Sequence, residues 1–246
     1  MTRARSAFTI LELLISILII AILLGLLLPL LITARDQART TLCAANLKQI
    51  GSAWTLYLGE HETFPRPESQ PDWRYGGAIF EGPDRHPILA DDRPLNPYIG
   101  TSDDPAERGA LAVLYQCPSD QGIFQTAGTA RGRQLSVLFG KTCFEFYGTS
   151  YRANPYLMDS TRAGIDDKSR PLALHEIMVP PSRLLLTADA EWYFATRDRT
   201  DPQADLDATW HDVRHAGNML AADGSVRFTR FNASEILLLP RMIRAD

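Results

Sequence analysis

The sequence predicts an α+β protein, with a long N-terminal transmembrane helix packed on a C-terminal, antiparallel β-rich globular domain. Three observations predict it. Residues 8–32 form an apolar stretch of about 25 residues, enough to cross a bilayer as a helix at 1.5 Å per residue. Helical apolar spacing then resumes at Cys43 and runs to Tyr57. Beyond Cys117-Pro118 the pattern changes to short β-like runs bounded by Gly, Pro, Asp or Asn.

The first element is the membrane segment, residues 8–32, behind a basic leader of residues 1–7. Arg3 and Arg5 flank its start with no acid beside them, which places the N-terminus in the cytoplasm and the rest of the chain outside. Arg35 and Arg39 lie beyond the far end, with Asp36 partly offsetting them. A removable secretory signal has a shorter apolar region and a small-x-small cleavage site, whereas here Ile32 precedes Thr33-Ala34. A plain signal anchor fits the length but leaves Glu12 without a reason. An ionised side chain in an apolar span costs up to ~3 kcal/mol at the helix centre, so such residues tend to be functional.

The helix continues outside the membrane as residues 33–58. Cys43, Leu47, Ile50, Trp54 and Tyr57 follow at steps of four and three, a single face, while Arg39, Asn46, Lys48, Gln49 and Ser52 occupy the others. With a bend near Pro29, a helix from Phe8 to about Leu58 spans roughly 75 Å. Gly59 and the pair Pro65 and Pro67 end it. Trp54 and Tyr57 are core residues in this reading.

Residues 59–246 remain for a single globular domain. Net charge is −4, from 25 basic and 29 acidic residues. No basic cluster alternates with aromatics, so no nucleic acid is expected as a partner, and no phosphate or dinucleotide fingerprint is present. Residues 60–110 are rich in Pro, Gly and Asp and read as an irregular insertion, with His61 and His86 isolated in it. Cys43, Cys117 and Cys143 have neither C-x-x-C spacing nor a nearby His, so no structural zinc is expected. Export permits a disulfide between Cys117 and Cys143, with two inert buried thiols as the default.

Strands are expected at 135–139, 143–147, 183–188, 218–222 and 226–231. Asp223-Gly224 between the last two predicts a two-residue hairpin turn. Asn232 with Glu235 reads as a capping box opening a short closing helix before Pro240. His211, Asp212, His215 and Asp223 are close in sequence, but the glutamate of the five-residue zinc-protease motif is replaced by Asp212, so no catalytic residue and no metal ligand is assigned. The expected reading is that Asp223 serves the turn and His215 hydrogen-bonds near the hairpin base.

The N-terminal residues carry a resemblance. Ala7/Phe8-Thr9-Ile10-Leu11-Glu12 is similar to the processing site of type IV prepilins and pseudopilins, in which a membrane peptidase cuts before the Phe and methylates the new amine. Cleavage there makes Glu12 the fifth mature residue and Pro29 the twenty-second, positions where that family carries an acid and, in many members, a helix-loosening proline. The family's Gly is Ala7 here. The C-terminal His215, followed by Asp223-Gly224, resembles the prepilin-processing-associated His…Asp-Gly motif, with seven residues between His and Asp where that motif has nine. Residues 43–50, 93–98, 117–120 and 150–152 are similar to the same family.

The resemblance implies a pilin-like fold and a structural, non-enzymatic subunit of a type IV pilus or type II secretion-like filament. Ala7 and Phe8 are then the processing residues, Glu12 the assembly residue and Pro29 the helix kink, while His215, Asp223 and Gly224 form a motif of unassigned role. The implied partners are the prepilin peptidase/methyltransferase, other pilin-like subunits and the membrane. No cofactor is expected. Some major pseudopilins bind calcium near the C-terminus, so the stretch 198–212, with Asp201, Asp205, Asp207 and Asp212, is the runner-up Ca²⁺ site, although it lacks the twelve-residue EF-hand pattern. The alternative function is an anchored extracytoplasmic enzyme or carbohydrate-binding module, with Trp73, Trp192 and Trp210 as platforms.

Overall fold

A computed structural model describes residues 10–66, 71–78, 80–81, 87–100, 113–125, 135–136, 138, 140–196, 206–207, 210–211, 213 and 215–231. The chain divides into two compact units, Met1–Ala38 and Arg39–Asp246. Helix α1 (Ile10–His61) starts in the first and ends in the second.

In the first unit every residue from Ile10 to Ile32 is exposed. Pro29 lies inside the helix, and its missing N–H leaves the Gly25 carbonyl without the usual intrahelical donor. Thr33 Oγ1 donates to the Pro29 carbonyl (3.1 Å), and Ser16 Oγ donates to the Glu12 carbonyl (2.7 Å).

In the second unit α1 buries Cys43, Leu47, Ile50, Gly51, Ala53, Trp54 and Leu58, and Tyr57 is half-buried. The helix runs three residues past Leu58 and is stopped at Glu62, which takes a left-handed φ of 56°. Gly59 is helical, so the stop comes from the αL residue after His61.

The apolar stripe packs on a four-stranded antiparallel sheet. Two smaller pairings stand apart from it: β1 (Phe80–Glu81) with β2 (Pro87–Ile88), and β3 (Phe124–Gln125) between β4 (Leu135–Ser136) and β7 (Leu206–Asp207). The main sheet has the order β5 (Tyr151–Ala153), β6 (Leu185–Asp189), β8 (Ala216–Ala221), β9 (Val226–Arg230). Alternation on the central strands sends Thr187, Asn218 and Leu220 toward α1. Trp54 Nε1 donates to Thr187 Oγ1 (3.0 Å), Asn218 Nδ2 donates to the Thr40 carbonyl (3.2 Å), and a Cβ on Gly51 would lie 2.8 Å from Leu220. Gly51 is therefore the point of closest helix–sheet approach. The opposite face buries Leu185, Ala188, Met219 and Ala221 against Trp192 and Phe231. A bulge between Leu185 and Thr187 switches the faces on β6.

Residues 143–147 form a helix, not the expected strand. Thr142 and Glu145 make a capping box and Gly148, at φ 76°, closes the C-terminus. These local signals outweigh the strand preference of Phe144, Phe146 and Tyr147. Asp120 adds to them: its carboxylate accepts from the amides of Cys143 (3.0 Å) and Phe144 (2.9 Å), satisfying orphan donors of the first turn. The cysteines depart both from the default of inert thiols and from the permitted Cys117–Cys143 bond. Cys43 and Cys117 form the disulfide, Cα atoms 5.1 Å apart, and Cys143 is a free buried thiol. The helical position of Cys143 places its amide on Asp120, while the α1 stripe brings Cys43 against the segment that starts at Cys117.

The hairpin joins β8 and β9 where expected, but by three residues. Gly224 N–H donates to the Ala221 carbonyl and Ala221 N–H to the Ser225 carbonyl, both 2.9 Å, so Ala222, Asp223 and Gly224 make the connection. Only Gly224 of these has positive φ (75°), the arrangement of a turn followed by a glycine bulge. Asp223 instead accepts from Ser225 N (2.9 Å) and Oγ (2.6 Å). The expected closing helix after Asn232 lies outside the described residues.

Candidate functional site

Two regions carry chemistry, each within one unit. The first is the start of α1. Glu12 stands in its first turn among exposed Ile and Leu side chains. Ala7 and Phe8, the processing residues, lie outside the described residues.

The second is a polar cluster beneath the main sheet. Asp189 ends β6 with no exposed surface. Its Oδ2 accepts from Asn218 N (2.6 Å) and lies 3.0 Å from His211 Nε2. The His211 ring also meets Thr40 Oγ1 through Nδ1 (3.0 Å) and Cys117 Sγ through Nε2 (3.5 Å). Glu191, equally buried, clasps the segment that carries His211: its carboxylate accepts from Trp210 N (3.4 Å) and from His215 N. Glu191 thus holds Trp210 and His215 with its two oxygens while Asp189 meets the His211 ring between them, and His211 (55°) and His215 (57°) both take positive φ.

The residues proposed from sequence do not converge. His215 sits at the base of the hairpin, where its main chain does the work: its amide donates to Glu191 and its carbonyl accepts from Phe231 N (2.7 Å). Asp223 and Gly224 are at the tip, a strand length of roughly 20 Å away, where Lys48 Nζ donates to the Gly224 carbonyl (2.6 Å). His211 and His215 share neither a helical face nor a strand face: His211 lies in a turn and His215 precedes β8. Of the acidic stretch, Asp201, Asp205 and Asp212 lie outside the described residues, and Asp207 belongs to β7. Trp73, Trp192 and Trp210 are at most 3 % exposed, so none is a surface platform. Sequence reading passed over Asp189, Glu191 and Thr40; the signal was available, since Asp189 and Glu191 are two acids at the end of the apolar run Leu184-Leu185-Leu186.

The remaining fragments that resemble the prepilin family stitch irregular chain to core. Arg93, 1 % exposed, donates to the carbonyls of Trp73 (2.8 Å), Gly76 and Tyr147 (2.7 Å), and burial pulls its guanidinium down to about 10. Asn96 holds both the amide (2.9 Å) and the carbonyl (2.8 Å) of Gly77. Arg152 pairs with buried Asp72 and lies 3.3 Å over the Tyr193 ring. Asn46 Nδ2 donates to the Gln116 carbonyl (3.0 Å).

Comparison with known families gives two matches. Residues 2–28 match the prokaryotic N-terminal methylation motif, and residues 33–176 match the family described as Protein of unknown function (DUF1559). No curated protein and no solved structure matches the chain. With the second match covering more than half of its 246 residues, the chain belongs to the DUF1559 family, and it is a prepilin-type protein that joins the N-terminal methylation motif to the His-x-Asp-Gly type of domain found in prepilin-like proteins.

Proposed function

We propose that this chain is a structural filament subunit: a prepilin peptidase cuts before Phe8 and methylates the new amine, and α1 then packs with the helices of sibling subunits in a pilus or secretion-type filament. The carrying observation is an apolar helix surface, exposed from Ile10 to Ile32, that contains one acid, Glu12. Such a surface needs lipid or other helices around it. Between helices the basic terminus of one subunit neutralises Glu12 of the next, and each charge offsets much of the other's desolvation cost. The pair acts by selecting register more than by adding stability. A cytoplasmic leader with the domain outside follows from Arg3 and Arg5, and the Cys43–Cys117 disulfide supports an oxidising compartment for the domain. A non-enzymatic role for the domain is supported by the way the family-like fragments are used in scaffold contacts, and the platform alternative loses its tryptophans to the core.

N-terminal sequencing of membrane-extracted protein and of sheared filaments tests the reading. Mature chains beginning at methylated Phe8 are expected in both. Glu12→Gln leaves cleavage intact and abolishes incorporation into filaments; normal incorporation of Glu12→Gln refutes the charge-pairing role, and an intact Met1 to Ala7 peptide on native protein refutes processing.

A further inference from the structure

We propose that Cys43, Cys117, His211 and Asp189 form a second-state metal site: when the disulfide is reduced, they hold a thiol-seeking divalent cation, Zn²⁺ in type. One ligand atom from each lies within 4.8 Å of every other, and all four residues are buried. In a tetrahedral zinc site with bonds of about 2.0 to 2.3 Å, ligand atoms sit roughly 3.3 to 3.8 Å apart. The Cys117 Sγ to His211 Nε2 distance is 3.5 Å and His211 Nε2 to Asp189 Oδ2 is 3.0 Å, so two edges of the tetrahedron are already near length. The sulfur pair, bonded in the disulfide, has to part.

The surroundings suit a ligand set. Thr40 Oγ1 stands 3.0 Å from His211 Nδ1 and accepts a hydrogen bond from Nδ1–H when Nε2 turns its lone pair to the metal, the outer partner that metal-bound histidines take. Asp189 Oδ2 is fixed by the Asn218 amide, while Asp189 Oδ1 is buried without a hydrogen-bond partner among the described residues. A cation on Oδ2, with a longer contact to Oδ1, gives that second oxygen a partner. The divalent ion also cancels the charge of the two thiolates that bind it.

The chemistry balances with a dithiol as reductant. Two electrons and two protons pass to the Cys43–Cys117 bond, the S–S bond breaks, two thiols form, and the dithiol leaves as its own disulfide. The cation then displaces the two thiol protons and binds the sulfurs, His211 and Asp189. The same four residues thus tie α1 at Cys43 to the Cys117 segment by a covalent bond under oxidising conditions and by a metal where thiols stay reduced.

The test uses the full chain in detergent, in a Cys143→Ala background so that only the paired cysteines report. The protein is unfolded with a phosphine reductant and refolded with and without Co²⁺. The expected result is about one cobalt per chain, with thiolate-to-cobalt charge-transfer and tetrahedral ligand-field absorption, absent from the oxidised protein. His211→Gln removes the tetrahedral spectrum. Thr40→Val, which keeps all four ligands, weakens cobalt affinity by about 10- to 100-fold and keeps the proposal testable if His211→Gln does not refold. The proposal is overturned by a reduced chain with no charge-transfer band, by equal binding to the oxidised chain, or by unchanged affinity in Thr40→Val.

Discussion

Individual side chains in this molecule act mainly by meeting main-chain polar groups that the irregular segments would otherwise bury unpaired. Arg93 and Asn96 do this for residues 73–77, Asp120 for the start of the helix Cys143–Tyr147, and Glu191 for the His211 segment. Glu176 shows the effect of pH on such a contact. Arg170, hydrogen-bonded at 2.9 and 2.7 Å, holds the Glu176 carboxyl down to about 2 from 4.5, helped by the Ala173 amide. A depressed carboxylate stabilises the fold above its unfolded value and loses that contribution as pH falls through the folded one. The Arg170 side chain is 44 % exposed, so solvent screening limits the pair to about 0.2–1 kcal/mol. Glu176→Gln is therefore expected to melt a few degrees lower than the parent near neutral pH, a difference that shrinks as pH drops from 4.5 toward 2. A melting difference constant across that window contradicts the assignment. The methods of sequence reading miss these residues because an isolated Arg, Asn or Glu in a loop has no periodicity; their partners are carbonyls and amides that only folding brings near.

At the level of elements, local chemistry and tertiary contact agree in most places and the exceptions are informative. The α1 stripe was legible because five apolar residues repeat at helical spacing, and Gly51 sits in it for a reason the spacing does not show, the close approach of Leu220. The helix Cys143–Tyr147 was legible in Thr142, Glu145 and Gly148, yet its aromatic residues also suit a strand, and a five-residue segment gives periodicity too little length to arbitrate. Its cap makes a measurable contribution: Thr142→Ala is expected to cost about 1 kcal/mol in chemical denaturation, and no change in the midpoint would show that Asp120 alone holds the helix start. The hairpin position follows from Asp223-Gly224, while its length follows from Ser225, which draws the Asp223 side chain and leaves positive φ to Gly224 alone.

For the whole molecule, the described core belongs to the unit Arg39–Asp246, whose buried clusters contain no residue before Cys43. A chain beginning at Thr33 is expected to be soluble, to unfold in a single transition and to retain the Cys43–Cys117 bond; aggregation with loss of the transition would show that the core needs the membrane segment. In that same chain, replacing both cysteines by Ala is expected to cost about 2–5 kcal/mol, because the bridge closes a long loop, a separation of 74 residues. The membrane-length helix, the acid within it, the α+β class and the site of the hairpin can all be read from the order of residues, since each is written in spacing or in residues a few positions apart. Tertiary structure alone decided which cysteines pair and that Thr40, Cys117, Asp189 and His211 meet under one sheet. Those contacts join segments tens to more than a hundred residues apart, and no local pattern records which buried polar groups must find one another once the apolar faces have closed.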